Sequence, residues 1–282
     1  MRGDTEELLF NFNNVTGLGS IKDGFEDSLK YFNVLPYRST TKDLIMEYGN
    51  LCQSFMYNFF RIENKILKRN MTLQQIAKLD NIGIYLSGGG RDHMPSISMK
   101  DHIFTKGTFE NPIYFKDIKS ILQNEFTPKF PVRDCNKDLY NKICNTESVC
   151  ITVRRGDYVS NKSNLKNFFL CDKNYFEESI SRIKKILSNP TFFFFSDDID
   201  WVKDNITIDC PCFYESGSDP IWEKVRLMYS CKHFIISNST FSWWAQYLSR
   251  NDKKIVISPD KWFSNDNWKS FLVMDNFIKI HV

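Results

Sequence analysis

Apolar positions in the second half of the chain come in short unbroken runs, each ending in a polar cluster. Val149-Cys150-Ile151-Thr152-Val153 leads into Arg154-Arg155-Gly156-Asp157, and Phe192 to Phe195 leads into Ser196-Asp197-Asp198. Phe234-Ile235-Ile236 leads into Ser237-Asn238-Ser239-Thr240-Phe241-Ser242. Runs without polar alternation predict strands buried on both faces, as in a parallel sheet. Between them the spacing changes to three and four residues. Phe176, Ile180, Ile183 and Leu187 predict a helix over 173–188 capped by Asp172; Trp222, Val225, Met228 and Tyr229 predict another over 220–231. Shorter helices are expected over 199–205 and 241–249, a polar loop over 160–164 and a further strand over 255–258. The order is that of a βαβαβ unit. Residues 262–282 are expected to pack back as a helix and an extended tail.

The first half is less regular. Leu51, Phe55, Phe59, Ile62 and Ile66 give Leu44 to Leu67 a helical period. Tyr114 to Phe126 reads as a helix and Gly88-Gly89-Gly90-Arg91-Asp92 as a loop. The three glycines match neither a phosphate-binding loop nor a dinucleotide fingerprint.

Composition narrows the class. A chain of 282 residues, 42% hydrophobic and 15% aromatic, is globular, and a formal charge of +3 argues against a nucleic-acid partner. Nothing approaches a membrane-spanning apolar stretch, and the acidic start Met1 to Glu7 lacks the basic and apolar regions of a signal peptide. Eight cysteines and four histidines show no zinc spacing, so buried thiols in a reducing cytoplasm are expected and no metal site. Five Asn-x-Ser/Thr triplets occur, one inside the 237–242 cluster, and are read as chance matches.

Ligands of parallel sheets bind beyond the carboxyl ends of the strands. Two arginines, two aspartates and a row of hydroxyls before a helix suit a nucleotide-diphosphate ligand there. Adjacent Arg154 and Arg155 project to opposite sides, so one can face the ligand while the other braces the loop, with Asp157 fixing a guanidinium or accepting a proton. Cations placed there stabilise the charge growing on a departing phosphate. Ser239, Thr240 and Ser242 stand at a helix N-terminus, an anion site in its own right. One hydroxyl is accounted for by capping alone; Trp243 and Trp244 suit a core or a cleft wall equally. Asp198 suits the cap of the 199–205 helix, and either Asp197 or Asp198 suits hydrogen bonds from a nucleoside. A bland alternative, a surface salt-bridge cluster around Arg-Gly-Asp, competes with the ligand reading.

Together these residues resemble the bacterial α-1,2-fucosyltransferases. The likeness runs through Val153 to Tyr158, Phe195 to Trp201, Met228 to Trp244 and Ser258 to Phe263, with a fainter stretch at Gly107 to Phe115. It is strong over 147–263 and thin before. The resemblance implies an α/β protein of two facing Rossmann-like lobes, the B-type glycosyltransferase fold. It also implies transfer of L-fucose from GDP-fucose, with inversion and without metal or other cofactor, to the 2-hydroxyl of galactose in O-antigen synthesis. The acceptor would be a galactose-terminated glycan or lipid-linked oligosaccharide, and the enzyme cytoplasmic or peripheral on the inner membrane face. Arg154, Arg155 and Asp157 would form the catalytic set. Asp197, Asp198, Asn238, Ser239, Thr240, Phe241 and Ser242 would hold the nucleotide. The expected division is an acceptor-side lobe over 1–146, a donor lobe over 147–262 and a C-terminal segment over 263–282.

Two departures stand out. The family's motif often carries His two places before the arginine pair, where this chain has Thr152. Members usually open with a strand and a Gly-Gly-x-Gly-Asn-Gln loop; Gly17-Leu18-Gly19-Ser20 is a poor counterpart, so the N-terminal lobe is expected to be incomplete. Transfer of another GDP-sugar, another fucose linkage, or a non-catalytic nucleotide- or glycan-binding remnant are the alternatives.

Overall fold

In the computed structural model, residues 8–10, 28–39, 43–86, 103–265, 268 and 270–282 are described. The chain divides into two units, residues 1–27 with 35–114 and residues 28–34 with 115–282. The glycine loop at 88–90, His93, His102 and Gly17 to Ser20 lie outside the described residues.

In the first unit, β1 (Leu8–Phe10) pairs in parallel with β2 (Tyr37–Ser39), and β3 (Ile84–Leu86) with β4 (Phe104–Lys106). The single helical period expected over 44–67 is broken into α1 (Leu44–Tyr48) and α2 (Leu51–Ile66), followed by α3 (Leu73–Asp80). The break has a local cause. Asp43 caps α1, and Asn50 forms a reciprocal capping box with Gln53 at the start of α2. The core of this unit is Ile45, Tyr57, Phe60, Leu79, Ile84 and Phe104. The face of α2 that points inward therefore carries Gln53, Tyr57, Phe60 and Asn64, and the apolar row Leu51, Phe55, Phe59, Ile62 and Ile66 is exposed. Hydrogen bonds make the polar face the buried one. Gln53 donates to the Ile82 carbonyl at 2.7 Å, and Asn64 donates to the Gln75 Oε1 at 3.0 Å.

The second unit begins at Phe115, well before the expected boundary at 146/147, and takes in 28–34. The helix expected over 114–126 survives only as α4 (Lys119–Glu125), preceded by 3-10 turns. Next comes α5 (Lys137–Asn145), whose fully buried Ile143 and direct contact with the sheet tie it to this unit. The sheet consists of β5 (Glu147–Val153), β6 (Pro190–Ser196), β7 (Cys212–Tyr214), β8 (His233–Ile235), β9 (Val256–Pro259) and β10 (Ile278–Ile280). All its pairings are parallel, in the order β10-β9-β8-β5-β6-β7. That is the strand order of a doubly wound sheet, with its switch point between β5 and β8. The connecting helices are α6 (Gly156–Ser160), α7 (Lys162–Asn167) and α8 (Lys173–Lys184), then α9 (Ile199–Asn205), α10 (Ile221–Tyr229) and α11 (Thr240–Leu248).

Two expectations change here, and one strand, β7, was not expected. The loop at 160–164 is mostly helical, because Asn161 caps α7 through the Ser163 and Asn164 N–H groups. β7 is too short, at three residues, to show a pattern. Among the described residues of 262–282 there is no helix; the segment ends in β10, paired with β9 through Ile278 and Ile280. The segment is thus the sixth strand of the sheet rather than a tail laid over it.

The apolar runs are buried on both faces as their lack of alternation requires. Val149, Ile151, Phe192, Phe194, Phe234 and Ile235 are fully buried. Of the eight cysteines, all free, Cys150, Cys171 and Cys231 are buried, and burial pushes the Cys171 thiol up to about 12. Cys52, Cys135 and Cys144 are exposed, against the expectation of buried thiols. Phe194, opposite Ile151 in the β5–β6 register, is fully buried in the core of this unit. Phe194→Ala is expected to lower stability by roughly 3–5 kcal/mol, read from the urea unfolding midpoint at unchanged m-value.

Candidate active site at the switch point of the second unit

The carboxyl ends of β5 and β6 are fastened to each other by charge. Val153 lies opposite Ser196 in register, so the residues that follow meet side by side. The Arg154 guanidinium bridges Asp157, at 2.5 Å, and Asp197, at 2.7 Å. Asp197 also accepts the Arg155 backbone N–H at 2.8 Å. Ser196 donates to the Val153 carbonyl at 2.9 Å and accepts the Asp198 N–H at 2.9 Å. Asp198 caps α9 through the Trp201 N–H and pairs with Arg155 Nε at 3.2 Å. Asp198 is thus the cap of α9 and the ion-pair partner of Arg155 at once. The Asp157 Oδ2 accepts from Asn164 at 3.1 Å, so this carboxylate holds Arg154 and a neighbouring amide.

Gly156 is required by this contact. A Cβ there would lie 2.7 Å from Asp197 Oδ2 and 3.1 Å from its Cγ. The two arginines then differ in what they leave free. Arg154 spends both terminal nitrogens on carboxylates. Arg155 lies over Trp201, its Cζ 3.9 Å from the ring centroid, and uses only Nε. Among the described residues its two terminal nitrogens meet no acceptor, and their fork is the phosphate-binding edge of an arginine.

Across the switch point, the loop after β8 is held from three sides. Tyr175 donates to the Ile236 carbonyl at 2.6 Å, and Tyr158 to the Asn238 carbonyl at 3.0 Å. Thr152, where relatives often carry His, accepts the Ser237 N–H through its hydroxyl at 3.3 Å. Asn238 is 1% exposed and gives both amide hydrogens to backbone carbonyls, Phe169 at 2.6 Å and Trp262 at 2.7 Å. Ser242 is likewise buried, its hydroxyl 3.3 Å from that of Ser237. These two expected nucleotide contacts face inward, because the loop needs them to close against the sheet.

Ser239, Thr240 and Phe241 remain partly exposed at the start of α11. No side chain caps this helix, although Ser239 occupies the N-cap position. A serine there normally accepts from the backbone; leaving the N–H groups open keeps the helix terminus available to an anion. The tryptophan pair splits. Trp243 is core at 1% exposure, while Trp244 is part-exposed and packs on Phe115 and Phe126.

The arrangement thus brings Arg154, Arg155, Asp157, Asp197 and Asp198 into one network, with Ser239, Thr240 and Phe241 across the neighbouring strand end. Tyr158 and Trp201 lie inside the motifs that carry the resemblance but were given no role there, and Tyr175 was singled out by no pattern; an aromatic residue three places after a helix-capping aspartate was the available signal for the role of Trp201. Among the described residues, no group of three or more His, Cys, Asp and Glu gathers as a metal site.

The model of glycosyl transferase family 11 matches residues 53–278. The chain belongs to this family. The match extends the likeness back to α2, well before residue 147. Over 179 residues the chain is 38% identical to an Escherichia coli alpha-1,2-colitosyltransferase, covering 62% of this chain and 61% of that protein. Over 181 residues it is 31% identical to the O-antigen biosynthesis glycosyltransferase WbnK of the same species, covering 59% of each. The alignments thus span about three-fifths of the length of these curated relatives.

Two substitutions test this geometry. Gly156→Ala is expected to displace the Asp197 carboxylate and cost roughly 1–3 kcal/mol, because its contacts with the Arg154 guanidinium and the Arg155 N–H are strained. Asn238→Ala strands two buried carbonyls and is expected to cost roughly 2–4 kcal/mol. Urea titration reads both; a wild-type midpoint for either variant contradicts the contacts described.

Proposed function

We propose that the chain is an inverting glycosyltransferase of O-antigen synthesis that transfers L-fucose from GDP-fucose to the 2-hydroxyl of a galactose-containing acceptor. The observation that carries the reading is the open fork of Arg155 beside an uncapped helix N-terminus at a sheet switch point. A diphosphate bound there meets one guanidinium edge and the N–H groups of α11. In the proposed step the acceptor oxygen attacks the anomeric carbon in line, and the bond from that carbon to the β-phosphate oxygen breaks. The acceptor proton passes to a phosphate oxygen or a carboxylate. Negative charge on the departing GDP grows towards Arg155, which the Asp198 pair and the Trp201 ring hold in place before reaction. Arg154 and Asp157 brace the loop. No metal is needed in this scheme.

The proposal places this site in the donor lobe of a two-lobed B-type fold, with the first unit on the acceptor side. It also places the protein in the cytoplasm, peripheral to the inner membrane face. A second reading, transfer of colitose, is favoured by the name of the 38%-identical relative. The two sugars differ by a single hydroxyl, at the 3-position, so a pocket that hydrogen-bonds this group discriminates strongly between their donors.

Calorimetric titration of GDP, with donor turnover followed in the same samples, tests the proposal. Arg155→Ala is expected to weaken GDP binding about tenfold to a hundredfold and to abolish transfer, the loss of one charge-assisted contact. Turnover should persist in chelator. NMR of the product identifies the linkage, and paired assays with fucosyl and colitosyl donors identify the sugar. Wild-type turnover in Arg155→Ala sinks the proposal, and binding without transfer to any galactoside favours a non-catalytic nucleotide-binding protein.

A further inference from the structure

The exposed face of α2 is unlike a solvated helix surface. Leu51, Phe55, Phe59, Ile62 and Ile66 follow one another at three- and four-residue spacing, with exposures of 92%, 70%, 54%, 56% and 73%. They stand opposite the buried Gln53, Tyr57, Phe60 and Asn64. At the end of this stripe lies an open depression of about 540 Å³ whose lining includes Arg61, Lys65, Lys68 and Arg69. Arg61 is 3.7 Å from Asp43 and Arg69 is 3.3 Å from Glu63. Lys65 and Lys68 meet no carboxylate among the described residues. Lys68 also takes a left-handed conformation, φ 48°, where a helix end usually places glycine. A cation is thus held at a position whose backbone disfavours it, which is a pointer to function.

We propose that this face of α2 docks on an anionic phospholipid bilayer, the apolar stripe entering the interface and the basic depression receiving headgroup phosphates. An apolar row with lysine and arginine beside it is the pattern of a helix lying in the membrane plane. Charge complementarity favours lipid over a second copy of the chain. Two lysines that meet no carboxylate among the described residues, beside an apolar stripe, call for an anionic surface, which headgroup phosphates supply and the uncharged stripe of a second copy does not. The inference deepens the peripheral placement proposed above, and its test is independent of nucleotide binding.

The test is flotation of the full chain with phosphatidylglycerol-containing vesicles and with pure phosphatidylcholine vesicles. Binding is expected only to the anionic vesicles and should weaken as salt rises. Lys65→Glu with Lys68→Glu, and separately Phe55→Ser with Phe59→Ser, should each reduce binding about tenfold or more at an unchanged urea midpoint. Absence of wild-type flotation with anionic vesicles overturns the proposal. Unchanged flotation of the serine pair also overturns it: a lost dimer in sedimentation velocity then assigns the face to a second copy, and a lowered unfolding midpoint assigns it to internal packing. Failure of GDP binding leaves the vesicle result untouched, so the two readings fail separately.

Discussion

The second unit turns on how one guanidinium is divided. Arg154 is shared between Asp157, on its own loop, and Asp197, at the end of the next strand. Ion pairs about a third exposed contribute little to stability; what this one supplies is geometry. With Asp197 also accepting the Arg155 N–H, the chain cannot leave β5 in any other direction. Gly156 makes the approach possible by having no side chain. Arg155 is then aimed by Asp198 and seated over the Trp201 ring, and among the described residues its terminal nitrogens meet no acceptor.

The loop after β8 follows a comparable logic with neutral groups. Asn238, Thr152, Tyr158 and Tyr175 satisfy the buried backbone of the loop, so that its path is determined before any ligand arrives. What these bonds leave unused is the N-terminus of α11. Among the described residues, both halves of the site therefore keep one donor set without an acceptor, after strands that are neighbours at the switch point. Donors fixed in advance need no reorganisation when charge develops, which is how such sites favour a transition state.

The first unit shows where pattern reading fails. Apolar periodicity in α2 is real, yet the face it marks is the exposed one. Burial there was decided by amides that have partners: Gln53 on the Ile82 carbonyl and Asn64 on Gln75. A helix whose polar face is satisfied inside can turn its apolar face outward, and periodicity alone does not distinguish the two orientations.

Much of the second unit was legible in one dimension. Unalternated apolar runs identify doubly buried strands whatever their neighbours, because burial on both faces leaves no place for polar residues. Polar clusters at their ends identify the ligand-facing edge, since the strands are parallel. Composition and spacing carried the two arginines, the aspartates and the hydroxyl row, and the resemblance carried the family. Tertiary structure alone decided which members of each cluster are free. Asn238 is held inward by the carbonyls of Phe169 and Trp262, 69 and 24 residues away in the chain, and Ser242 lies buried against the Ser237 hydroxyl, while Ser239 and Thr240 stay partly exposed. Likewise Arg154 and Arg155 are identical side chains in adjacent positions. One became a brace and the other an open fork because Asp197 and Asp198, from another strand, met them in that order.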